Sequence, residues 1–96
     1  MAGPRTTELL LVLEELISVL QNAGEQHWCR WIVTCRNRLE RSDYSGIHKL
    51  LAAYGGMGSF SDLVLTSSSS EEQLRGLRRR AWVLAEAIRM EYERGA

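Results

Sequence analysis

One proline and two cysteines in 96 residues exclude several small-protein architectures. A collagen-like or proline-rich chain needs far more of the first. A disulfide framework or a zinc site needs more of the second, at patterned spacings. Charge of one sign is missing too, since 12 basic residues balance 12 acidic ones. That removes the general electrostatic case for a nucleic-acid or membrane-surface protein and leaves only local patches. No apolar run reaches membrane-spanning length. Glu14 and Glu15 cut the stretch that begins at Leu9, and no small-residue cleavage site follows. Catalytic patterns are missing as well, with no H-E-x-x-H, no paired carboxylates and no G-x-S-x-G turn. His27 and His48 have no nucleophile at fixed spacing, and Cys29 could be one only if folding brought a histidine to it. An enzyme is not expected, nor is a metal or a cofactor.

The remainder is ordinary globular material, 45% hydrophobic and 25% charged. A chain of this length holds one domain (residues 1–96) and buries roughly 65% of its extended surface. Cys29 and Cys35 lie about 240° apart on a shared helix, cannot bridge within it, and suit a reduced cytosol. Residues 1–6 are expected to be a flexible N-terminus. A first helix starts near Thr6 or Thr7 and ends before Gly24. Leu9, Leu10, Val12, Leu13, Leu16, Ile17, Val19, Leu20 and Ala23 cover half its circumference. A face that wide calls for two neighbouring helices, so this helix is central.

The second helix runs from about Glu25 to Arg41, with Trp28, Trp31, Ile32, Cys35 and Leu39 inward and Arg30, Arg38 and Arg41 outward. A short third helix carries Tyr44, Ile47, Leu50, Leu51 and Tyr54, and Gly55 stops it in a left-handed conformation. Ser59 and Asp62 read as a capping pair for a short helix over Phe60–Leu65. Residues 66–70 form a serine-rich loop whose last serine caps the final helix, Glu71 to about Arg94, with Gln73 completing the box. Leu74, Leu77, Ala81, Leu84, Ala85, Ile88 and Tyr92 make its core stripe. The expected fold is all-α: a small bundle of three long helices, one or two short ones, and a glycine-rich turn.

Three features are candidates for function. Gly55, Gly56 and Gly58 can turn the chain, or can form an anion-binding nest in which Asp62 competes for the same amides. Arg78, Arg79 and Arg80 have no acidic residue three or four positions away on their helix. They either pair across the bundle with Glu14, Glu15 or Glu40, or face an acidic partner. Val83 and Met90 fall opposite the core stripe with Gly76 and Ala87 alongside, the pattern of a helix-to-partner strip. Basic residues outnumber acidic ones five to three between Glu25 and Tyr54, a weak footprint for nucleic acid.

The run L-L-A-A-Y-G-G-M-G-S-F-S-D-L-V-L from Leu50 to Leu65 resembles a family of small bacterial proteins. Its members share a leucine-rich first helix, a tryptophan-containing second helix and a G-G-M-G-S-F-x-D-L segment. Ser61 stands where those relatives often carry asparagine. The resemblance implies a compact helical domain of bacterial origin and brings no catalytic residues with it.

The expected function is that of a non-enzymatic, cytoplasmic protein-binding domain, of the kind that includes immunity and antitoxin-type inhibitors. Met57, Ser59, Phe60, Asp62, Arg78, Arg79, Arg80, Val83 and Met90 are its candidate contacts, with Met57 and Phe60 as apolar anchors. The alternatives are a regulatory module that meets nucleic acid through its arginine faces, and an anion or small-molecule sensor at the glycine loop. Whether Trp31 and Trp82 face the core or a partner stays open, as does the oligomeric state.

Overall fold

A computed structural model describes residues 3–55 and 57–95. They form α1 (Pro4–Asn22), α2 (Gln26–Glu40), α3 (Ser45–Ala52), a single 3-10 turn (Phe60–Asp62) and α4 (Ser68–Gly95). No strand occurs among the described residues, so the chain is all-α. α1 packs against both α2 and α4, while α3 bridges α2 and α4. The wide apolar face of α1 thus has its two neighbours. Ion pairs Arg5–Glu91 (2.5 Å) and Glu8–Arg80 run α4 antiparallel to α1, and Glu14–Arg36 (2.7 Å) joins α1 to α2.

The core lies where these faces meet. Leu9, Leu13, Leu16 and Leu20 of α1 enclose it with Ile32 and Cys35, Ile47 and Leu50, Phe60, and Leu74, Ala81 and Ala85. Cys35 is buried and Cys29 half-buried, as their helical spacing implies. Gly46 lets α3 close on α2, because a Cβ there would meet the Cys35 carbonyl oxygen at 3.0 Å.

Several boundaries differ from expectation. α1 begins at Pro4, two to three residues before Thr6 and Thr7. Proline at the first helical position has its φ already set and gives up only an amide that would be unpaired anyway. Met1 and Ala2 lie outside the described residues. α4 begins at Ser68, so the serine loop is shorter than residues 66–70. The cap is Ser67, whose hydroxyl accepts the Ser70 amide at 3.5 Å. Phe60–Leu65 is not a helix but one turn, with no side-chain cap from Ser59. Tyr92 leaves the core stripe; it is exposed and stacked on Tyr44 with ring centroids 3.7 Å apart.

Gly24 and Gly55 take positive φ (75° and 88°) where α1 and α3 end, the left-handed conformation that glycine adopts without steric penalty. Gly76 is different. It sits inside α4 with no atom within 4 Å of where a Cβ would be, and mid-helix glycine costs about 1 kcal/mol relative to alanine. Nothing in the chain's own packing calls for it.

Candidate functional site

The glycine segment folds inward. Phe60 is wholly buried, 5.4 Å from the Trp28 ring and 5.7 Å from Tyr54, whereas Met57 is 99% exposed. Of the two expected anchors, only Met57 is free to touch a partner. Phe60 is core, because its amide bonds back to the Ala53 carbonyl (2.9 Å) and draws the ring under the bundle. The Gly58 amide donates to Asp62 Oδ2 at 2.9 Å and the Gly55 amide to Ser61 Oγ at 3.2 Å. Ser59 and Ser61 share a 2.7 Å hydroxyl contact. The donors an anion would need at Gly55 and Gly58 therefore already have internal acceptors; Gly56 lies outside the described residues.

The arginine run divides by position on the helix. Arg78 turns toward the 3-10 turn and donates to the carbonyls of Phe60 and Leu63, both at 2.9 Å. The Tyr54 hydroxyl donates to the Arg78 carbonyl at 2.6 Å, and burial holds that phenol well above its ordinary pKa. Glu71 completes the tie. Its carboxylate accepts the Leu65 amide (2.8 Å), which lowers its pKa, and also takes Arg75 (2.9 Å). Arg78 is thus a clamp on the glycine segment, half-buried between it and the surface. Arg80 pairs with Glu8, not with Glu14, Glu15 or Glu40. Arg79 is exposed and joins no ion pair or side-chain hydrogen bond among the described residues.

What α4 leaves outside is a shallow, open aromatic and cationic cleft of about 340 Å³ lined by Tyr54, Arg75, Arg78, Arg79 and Trp82. Trp82 is 44% exposed there. Trp31 belongs to the bundle. Its indole N–H donates to the Lys49 carbonyl at 2.9 Å, and the Lys49 ammonium sits 3.9 Å from its ring centre. Val83 and Met90 stand in solvent, 44% and 50% exposed, as their opposition to the core stripe implies. Sequence reasoning left Trp82 open and did not find Arg75 or Tyr54. The available signal was that Arg75, Arg79 and Trp82 recur at spacings of four and three along α4.

Catalytic chemistry finds little to build on. Burial pushes the Cys35 thiol up to about 11, and Cys29 donates weakly to the Ile17 carbonyl at 3.9 Å. His27 stands edge-on to Trp28 and His48 edge-on to Tyr44. Among the described residues no cluster of three metal-ligating side chains occurs and no helix is long and apolar enough to cross a membrane. Arg30 on α2 and Arg41 just past its end are exposed, but Arg36 is taken by Glu14 and Glu40.

Comparison with curated proteins and with solved structures returns no match. A family model matches residues 21–72, from the last turn of α1 through α2, α3 and the 3-10 turn into the start of α4. With just over half of its length matched, the chain belongs to the family described as Domain of unknown function (DUF6966).

Proposed function

We propose that the chain is a non-enzymatic protein-binding domain of the bacterial cytoplasm, an immunity or antitoxin-type inhibitor that works by occupying another protein's surface. The observation that carries this reading is the cleft on α4. Trp82 and the arginines beside it are the residue types that most often dominate binding energy when a partner desolvates them. Met57, fully in solvent on a segment clamped to α4, adds a flexible apolar contact. A rigid bundle presenting such groups loses little conformational entropy on docking. The partner would offer an acidic rim around an apolar knob.

Inhibitor pairs are normally encoded side by side, so the product of the adjacent gene is the partner to co-express. Stoichiometric co-purification is expected, weakened at least about tenfold by Trp82→Ala with Arg75→Glu, roughly 1.4 kcal/mol. No complex, or one indifferent to both substitutions, would overturn the proposal.

A further inference from the structure

Beyond that cleft, we infer that the outer strip of α4 is a self-complementary seam on which a second copy of this chain packs antiparallel, with the two-fold axis at Val83. Gly76, Val83, Ala87, Met90 and Arg94 fall within an arc of about 60° on α4. Val83 and Met90 are the large apolar side chains in it, both about half exposed. Gly76 and Met90 lie seven residues to either side of Val83.

Reversing the helix about Val83 therefore sets each copy's Met90 against the other's Gly76. A flexible thioether then fills a notch where a Cβ would find open space. That accounts for a mid-helix glycine which the chain's own packing leaves without a purpose.

The charges follow the same symmetry. Glu72 and Arg94 lie eleven residues to either side of Val83 and so come opposite one another. Arg79, four before Val83, comes beside the second copy's Glu86, three after it, on the same flank. Glu86 and Glu93 share one cation, Arg89, at 2.7 and 3.0 Å, so that cluster carries one excess negative charge. Arg79, like Arg30, Arg41 and Arg94, is exposed and in no ion pair among the described residues, and it borders the strip on the Glu86 flank. An isologous contact repeats every such pair twice, and antiparallel helix dipoles add to the attraction. A parallel arrangement would set like residues at the same level and lose the Arg79–Glu86 pairing. Trp82 lies about 100° around the helix from Val83, outside the seam, so the two surfaces share only Arg79 at their common edge. A single-helix seam falls at the small end of specific interfaces, so the association should depend on concentration.

Sedimentation of the purified full chain tests this, up to roughly 0.2 mM, where a contact of micromolar affinity is saturated. The expected mass rises from 10.9 kDa to twice that value. Val83→Glu, which puts two like charges on the axis, and Gly76→Trp, which fills the notch, should each give a monomer with unchanged helical circular dichroism. Arg79→Glu should weaken pairing about tenfold, and adding Glu86→Arg should restore it. A chain that stays at 10.9 kDa throughout would overturn the inference. So would a dimer that tolerates both Val83→Glu and Gly76→Trp, or a strip found to bind only a different protein. The cleft's own test uses Trp82 and Arg75, so either proposal can fail alone.

Discussion

The glycine segment and the outer face of α4 are treated oppositely by the fold. The segment spends its polar groups on itself. Asp62 and Ser61 cap glycine amides, Arg78 takes two of its carbonyls, and Phe60 is sealed beneath Trp28 and Tyr54. The outer face keeps Arg79, Trp82, Val83 and Met90 in water. Backbone that leaves regular structure must find hydrogen-bond partners, and it recruits whatever side chains are near. A helix has already satisfied its own backbone, so its outward side chains stay available. Irregular segments thus tend to consume polar residues, whereas helix faces display them.

This contrast predicts unequal responses to substitution. Phe60→Ala should cost about 3–5 kcal/mol, because the ring is fully enclosed and its removal leaves a cavity in the core; urea denaturation measures it. Arg78→Met keeps the bulk of the side chain but strands the Leu63 carbonyl and leaves the Phe60 carbonyl with only the Leu63 amide, and should cost about 2 kcal/mol in the same assay. On the outer face, Gly76→Ala should raise stability by about 1 kcal/mol at concentrations too low for pairing. Met57→Ala should change stability by less than about 0.5 kcal/mol, although the residue sits only three positions from Phe60. A large loss there would mean that Met57 packs somewhere in the folded state.

Acid probes the junction between the two regions. The Leu65 amide, and then Arg75, hold the folded Glu71 carboxyl below its ordinary value of 4.5. Its contribution is therefore complete above that value and lost as pH falls through the lower folded one. Glu71→Gln keeps an acceptor for Leu65 but does not titrate. Its stability should fall less steeply than the wild type's over that acid window, as read by denaturation at a series of pH values.

Much of the fold was legible from spacing alone. The stripes of α1, α2 and α4 indicated which faces meet, and Cys35 was placed inside with Cys29 on the flank. Exposure of Val83 and Met90 followed from the same arithmetic. Legibility ended where one residue could satisfy either a local or a distant partner. Arg78 and Arg79 are neighbours of the same type, and only the position of the Phe60 and Leu63 carbonyls separates their roles. Ser59 and Asp62 have the spacing of a helix cap, but the chain closes a single turn there and the carboxylate goes to Gly58 instead. Thr6 and Thr7 looked like caps because side-chain oxygens are the usual signal, yet Pro4 started the helix without one.

The order of apolar and polar residues by itself determined that this chain is a helical bundle, which face of each long helix turns inward, and that Val83 stands midway between Gly76 and Met90. Periodicity is a property of the chain and needs no fold to exist. Only the tertiary structure decided that Phe60 is core and Met57 is not, that Arg78 clamps while Arg79 is left in water, and that Trp82 borders a cleft. Those outcomes depend on which backbone carbonyls and rings arrive beside a side chain from elsewhere, and contacts across the bundle leave no spacing in the sequence to read.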